Sequence, residues 1–572
     1  MLDILIRGGT ILDGTGGKPF PGDVGISGDR IAEVGNLAEA GAAQVVDARG
    51  LAVAPGFIDI HSHHDLYLVD QDPMSIFESF IRQGVTTSVV GNCGWTLAPC
   101  LPETKHMVLE QVSSIGVFVE RFHWTTMAEF LSHIENQGLP CNIAQMVGHG
   151  AIRLSVMGDE NRFCTPEELE RMKNLVRESM EAGCMGLSTG LMYYPGMYAH
   201  TDELIALAKV AGEYGGRYAT HLRGYFSTLK HSLTEAIAIA EKAAVPLQVS
   251  HLHAVPFLNR LANPTYYAIK FLDAINSMVS LPPGPNPALA QGLEAIQKAL
   301  DRGLDVGADA IPYTLGNTIA TILFPPWANK GGLGQLLERL KDPDARRRME
   351  KDIRTISPKW PHWEEGSWSD PFIKAIGWKP IRVLSVKSDE NRWAEGMSFP
   401  EIGKRWGVDP FSALCRLTLE EEGRVILTWG YPGSLWIEKM FNDVIRHPQV
   451  SIAADSLLPE FGTPPPSAYG CFPRVLGHYA REFRLFPLET AVHKMTGLSA
   501  RRFGLKGRGE LKKGGFADIA VFEPSTVNDN FTEGGRPAFA QGISHVFVNG
   551  SPMLWEGELR RDLRPGRVLR RM

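Results

Sequence analysis

The sequence predicts an α/β protein, an eight-stranded barrel of parallel β/α units with a small sheet domain built from both chain ends. Three observations carry this expectation. Through the middle of the chain, short apolar runs alternate with amphipathic helical stretches: AQMVGHG, PEELERMKNLVRESMEAG, CMGLSTG, TDELIALAKVAGEYG, RYATHLRG. Buried strands separated by such helices mean repeated βαβ units and a parallel sheet. The two ends have a different texture, with apolar and polar positions alternating between Gly-Gly and Gly-Asp turns. The chain of 572 residues, 44% hydrophobic and 21% charged, also has ample material for a large core.

Residues 1–52 read as short strands in DILIRGGTILDG, GDVGISGDRIAEVG and QVVDARGLAVAP. The same texture returns in ADIAVFEP and HVFVNGSPMLWEGE. Neither end is large enough for its own core, so together they complete one domain. Residues 53–480 hold enough β/α units to close a barrel. Two stretches break the alternation there. One lies near 255–300, around SLPPGPNPALA, and the other runs from about 325 to 450 and is rich in Trp and charge. Both read as insertions on the barrel rim, where lids form. Residues 481–572 supply the last barrel helix region and the second part of the sheet domain. The arginines of RRDLRPGRVLRRM read as a solvated tail.

A formal net charge of −6 and a pI near 6.3 argue against a nucleic-acid surface. No apolar run approaches the ~20 residues of a membrane helix, and MLDILIRGGTILDG alternates like a strand rather than like a leader. The seven scattered cysteines form no disulfide pattern and point to a reduced, cytoplasmic compartment. The expected partner is a small molecule, and a homo-oligomer remains open.

The chemistry begins in GFIDIHSHHD. Residues i and i+2 of a strand face the same way, so His61 and His63 project together from the C-terminal end of the first barrel strand. That is where barrel enzymes build their sites. Cys93 ends TTSVVGNCGW, His221 ends YATHLRG, His251 ends LQVSHLH, and Asp455 follows the last strand in SIAADSLLPE. Cys93 alone would read as a small buried hydrophobe. Ligand-type residues at successive strand ends converge on one mouth, however, and that convergence makes the group a metal centre. Imidazole with thiolate suits Zn²⁺. Asp455 is either another ligand or the base that takes a proton from an activated water. Tyr193 and Tyr313 are candidate hydrogen-bond donors to substrate.

The blocks IRGGTILDGTG, VAPGFIDIHSHHD and GVTTSVVGNCGWTLAP resemble the amidohydrolase superfamily, and more narrowly its N-acyl-D-amino-acid deacylase (D-aminoacylase) branch. GLSTGLMYYPGMYAHTDELIALAK, ATHLRG, VSHLHA, FPRVLGHYARE and PGRVLRR extend the resemblance along nearly the whole chain. It implies a TIM (β/α)8 barrel with a small β-sandwich from both termini. It implies a zinc held tightly by Cys93, His221 and His251, and a weaker second site at His61 and His63 that shares the cysteine. Asp455 becomes the catalytic acid/base, and His64, pointing the other way, a structural residue. The reaction implied is hydrolysis of a small-molecule amide: a metal-activated water attacks the carbonyl, and Asp455 carries the proton to the departing amine.

The sequence departs from that family where the substrate would sit. His253 stands where a lysine is usual, and Pro465, Pro466 and Ser467 stand in place of His-Pro-Arg. Tyr-Pro-Tyr becomes Ile311, Pro312 and Tyr313, while Gly224 and Tyr225 follow Arg223 where an acid is common. With two cationic anchors replaced, and with Trp95, Tyr225, Phe226 and Phe257 after strand ends, the expected substrate is bulkier and less anionic than a free N-acyl-D-amino acid. Arg223 reads either as a carboxylate clamp or as a structural ion-pair partner. The rival chemistries are opening of a cyclic amide and cleavage of a carbamate, ester or lactone. A more distant rival is a non-catalytic metal-binding scaffold, which the intact ligand set disfavours.

Overall fold

The structure is a computed structural model that describes residues 1–571 apart from 121, 254–261, 277–278, 280–285, 362, 365 and 532–537. Phe257 and part of the first expected insertion therefore lie outside the described residues. Eight parallel strands run in chain order: β1 (Phe57–Asp59), β2 (Val85–Val90), β3 (Asn142–Gln145, continuing through Val147–Gly148), β4 (Gly186–Gly190), β5 (Arg217–His221), β6 (Leu247–Val249), β7 (Val306–Ala310) and β8 (Val450–Ile452). Each pairs with the next from β1 to β3 and from the second half of β3 to β8, except that β7 reaches β8 across the inserted region. The seam between β8 and β1 is bridged by Asp455 N donating to His61 O at 3.0 Å and Ala454 N to the Asp59 carboxylate at 3.0 Å.

Burial on both faces explains the composition of these strands. All six residues of VTTSVV in β2 are buried, and the run is continuous rather than alternating, as parallel strands covered by helices require. The helices announce themselves in the sequence. Pro166–Glu181 starts with a Thr165/Glu168 capping box and Pro166 in its first turn, and it buries Met172, Val176 and Met180 at a spacing of four.

The two chain ends meet in one nine-stranded sheet. Ala52–Pro55 lies parallel to Leu2–Ile11 and antiparallel to Ile519–Phe522, which joins the first strands of the chain to the last. Ile4, Ile6, Val24, Val53, Ile519 and Phe547 share one buried cluster. The inserted region expected from about 325 contributes Ile381–Val386 and Val425–Gly430. Both ends of this unit are antiparallel, with Leu315–Ile319 completing a three-stranded sheet just after β7.

The arginine-rich C-terminal run is not a solvated tail. Val568–Leu569 pairs in parallel with Ile143 and Ala144 of β3, on the side away from β2. Val568 is buried, Arg571 N donates to Gly183 O at 2.9 Å, and Arg570 pairs with Glu135 at 2.7 Å. The first half of β3 leaves an edge open toward β4, and this short strand covers it. Two apolar residues among six arginines are too brief a signal to show as a strand.

Candidate metal centre and active site

Three of the residues expected to act sit on strained backbone. Cys93, His251 and Asp455 have φ of 52°, 34° and 45°, in the left-handed region that non-glycine residues rarely adopt. Such positions cost roughly 1–3 kcal/mol each and persist where the surroundings over-determine them. Here each strained residue turns the chain at the end of a buried strand and aims its side chain at the barrel axis. The glycines around them are required by close approach. A Cβ on Gly190 would lie 2.0 Å from Cys93 O, and Gly94 has φ of 74°. These contacts explain why GNCG and STG occur together.

The ligand atoms converge. Cys93 Sγ lies 3.3 Å from His61 Nε2, 3.7 Å from His221 Nδ1 and 3.6 Å from His251 Nε2. Two groups emerge that share the thiol: Cys93, His221 and His251, and His61, His63, Cys93 and Asp455. Ligand atoms on one tetrahedral zinc, with bonds of about 2.0–2.3 Å, stand roughly 3.3–3.7 Å apart. The sulfur–nitrogen separations match that spacing, and only the His221–His251 pair, at 2.9 Å, is closer. Soft sulfur and imidazole donors fit zinc, and the residues present fit the metal.

Asp455 Oδ1 is 3.3 Å from Nε2 of both His61 and His63. Burial opposes its charge, but the charge of His61 and the hydrogen bonds of His61 and His63 outweigh burial and hold its pKa well below the usual carboxylate range. Burial likewise keeps His221 and His251 neutral, with the pKa of His221 pushed down to about 3, so both offer lone pairs. For His61 burial is overcome by Cys93, Asp455 and Asp309, which raise its pKa. Burial pushes the Cys93 thiol up to about 11 in the absence of a cation. A bound metal reverses that preference, since a coordinating thiol is deprotonated.

The sequence did not single out the residues behind the ligands. Asp309, buried at the end of β7, accepts from His251 N at 2.7 Å and from Gln248 Nε2 at 2.8 Å, and lies 3.5 Å from His61 Nδ1. An acid inside the buried run VGADA was the available signal. Such carboxylates orient ligating imidazoles. His64 packs against Phe77 and Phe80 with ring centroids 5.0 and 4.3 Å away, as a structural residue does.

Around the mouth, Trp95 packs on His63 and Tyr193, and Tyr193 shares a 3.3 Å hydrogen bond with Thr318. His253 also lines the cavity, but burial lowers its pKa to about 4, so it is no cation in place of lysine. Two expected substrate residues are placed elsewhere. Arg223 is buried against Glu235 at 3.0 Å, donates to Met197 O and Ala199 O, and lies over Trp363, because a buried guanidinium takes every acceptor in reach. Tyr313 donates to Asp529 at 2.9 Å and does not line the metal cavity. Asn317, Thr318, Phe372 and Trp429 do line it. Asn317 and Thr318 come from the strand just after β7, and Phe372 and Trp429 from the inserted region, and the sequence pattern marks none of them.

A β/α barrel whose strand ends bring four imidazoles, a thiol and a carboxylate to one mouth defines a metallohydrolase. The amidohydrolase family profile matches residues 44–328 and 419–553. A D-aminoacylase of Alcaligenes xylosoxydans xylosoxydans is 35% identical over 100% of this chain and 98% of its own length. An N-acyl-D-glutamate deacylase of the same organism is 33% identical over 100% and 97%. The crystal structure of N-acyl-D-glutamate deacylase from Bordetella bronchiseptica, complexed with zinc and a phosphonate mimic of the tetrahedral intermediate, superposes with a TM-score of 0.76 at 30% identity, covering 100% of this chain and 99% of that one. The chain belongs to the amidohydrolase family, in its D-aminoacylase-like branch, and is a hydrolase of carbon–nitrogen bonds other than peptide bonds.

Proposed function

We propose that this protein is a zinc-dependent deacylase that cleaves the amide of an N-acylated amino compound whose recognised end is neutral and apolar or aromatic rather than a free carboxylate. The chemistry of the relatives supports the amide, and the cavity lining supports the restriction. Trp95, Tyr193, Tyr225, Phe372 and Trp429 surround the ligands, and no arginine or lysine is among the described lining residues. A carboxylate brought here would lose its water without gaining a cationic partner, at a cost of several kcal/mol.

Cys93, His221 and His251 would hold one zinc, and His61 and His63 would hold a second through the shared thiol. Bound zinc supplies polarisation of the scissile carbonyl and lowers the pKa of a water to about 7. Asp455, ionised and facing both His61 and His63, accepts the proton of the attacking water and returns it to the leaving nitrogen. Tyr193, its hydroxyl in the cavity beside His221, donates to the carbonyl oxygen as charge develops there. The cavity measures about 30 Å³ and is bounded on one side by Ile322, Phe372 and Trp429.

The test is kcat/KM for an N-acetyl-D-amino acid against the corresponding N-acetylated neutral aromatic amine. The amine derivative is expected to be the better substrate by at least about tenfold, the equivalent of 1.4 kcal/mol. A preference for the free acid would overturn the restriction and leave the hydrolase assignment intact.

A further inference from the structure

A second cavity, of about 520 Å³, lies at the other end of the barrel, where Met185 leads into β4. Leu505, Val568 and Leu569 give it an apolar floor. Arg567, Arg570 and Arg571 of the C-terminal run form one wall. The helix Gly497–Phe503 and the loop after it form the other, with Arg501, Lys506, Arg508 and Lys512. Seven cationic side chains thus face one acid, Glu510, in a protein whose net charge is −6.

Some of this charge is already matched. Arg508 pairs with Asp518, Arg567 with Asp29, Arg570 with Glu135 and Lys512 with Glu510. Arg501, Lys506 and Arg571 have no carboxylate within ion-pair reach among the described residues. Arg571 donates from Nε to Tyr214 O, and Arg501 reaches only His493. Behind the wall, Arg217 at the start of β5 is buried, with Nε and Nη1 making no hydrogen bond. Burial and the nearby Arg502 and Arg571 push its pKa down to about 9. A concave, partly apolar wall concentrates the field of like charges lining it, and guanidinium and ammonium groups meet phosphate oxygens through strong charge-assisted hydrogen bonds. The volume is that of a small-ligand site, about 300–1,000 Å³.

We propose that this basin is a second binding site, for a multivalent phosphate-bearing small molecule held by Arg501, Lys506 and Arg571 above the apolar floor. Three cations with no ion-pair partner among the described residues, around one concavity, match a compact group of several negative charges better than they match a single carboxylate. The site is separate from the hydrolytic centre and does not depend on which amide is cleaved there.

The probe is inorganic tripolyphosphate, titrated calorimetrically into the metal-loaded full-length protein at low salt, with metal content measured before and after. ATP as a second probe reads whether an organic group on the floor adds affinity. One tripolyphosphate per chain is expected, with Kd below about 100 µM and weakening as salt is added. The double variant Arg501→Glu/Lys506→Glu alters exposed side chains far from the ligands. It should keep full amide hydrolysis, which shows that it folds, and bind at least tenfold more weakly. Absence of saturable binding, equal binding by the double variant, or uptake explained by metal stripped from the protein would each overturn the proposal. If the double variant lost hydrolysis, Lys506→Ala alone must still weaken binding for the proposal to stand.

Discussion

Asp455, the proposed acid/base, lies beside two imidazoles, and its pKa is held well below the usual carboxylate range. Asp455→Asn should therefore retain metal and fold while kcat falls by about 10²–10⁴, the usual worth of general acid–base help; kcat and metal content measured on the same preparation check this. Cys93→Ala should instead lose metal, because both ligand groups share its sulfur. Asp370 offers a pH test. Burial raises its pKa from 3.8 to about 8 although it accepts from Tyr225 N and Phe226 N. A carboxyl whose folded pKa is raised contributes stability that is fully present below about pH 4 and is lost as pH rises through about 8. Asp370→Asn should remove that slope, so its melting temperature relative to the unmutated protein should be higher at pH 8 than at pH 5. The candidate metal ligands, which the structure brings together, were legible because each is an unusual residue at the end of an apolar run. Asp370 and Asp309 were not, since their partners are backbone groups and side chains distant in sequence.

At the level of elements, the short strand Val568–Leu569 shows how little sequence signal a structurally important segment can carry. It occupies the β3 edge that β4 leaves open, and it brings three arginines to the base of the barrel. Val568→Asp would place an unpaired charge in a buried position, a change that costs several kcal/mol. The expected result is a lower melting temperature and faster proteolysis in the C-terminal run, read by a thermal scan and by mapping the cleavage sites. The barrel strands and helices were readable from periodicity and caps, as in the Thr165 capping box. The three-stranded sheet holding Asn317, Thr318 and Trp429 was hidden because its strands come from positions 315, 381 and 425, and pairing across such distances leaves no local pattern.

Taken as a whole, the molecule is tied together by buried polar groups as well as by its core. Asn142 at the start of β3 accepts from Asn549 Nδ2 and from Arg567 N, while Asp518 joins Arg508 and Asn549 N. One network thus spans the barrel, the terminal sheet and the C-terminal run. The metal should add to this stability, because it binds the folded arrangement and the unfolded chain has no such site. Chelation is expected to lower the melting temperature, and added zinc to restore it; an unchanged value would mean that the ligand cluster holds no metal of consequence.

The nine-stranded sheet also sets an order of events in synthesis. Ala52–Pro55 lies between Leu2–Ile11 and Ile519–Phe522, so one of its two neighbours leaves the ribosome more than five hundred residues after the other. At about 5–20 residues per second this wait lasts tens of seconds or longer. All six residues of the candidate metal centre and its proposed acid/base, from His61 to Asp455, emerge before Ile519. The nascent chain can thus assemble its catalytic mouth while the first strands still present a bare edge, which makes that edge the place where a chaperone would have work to do.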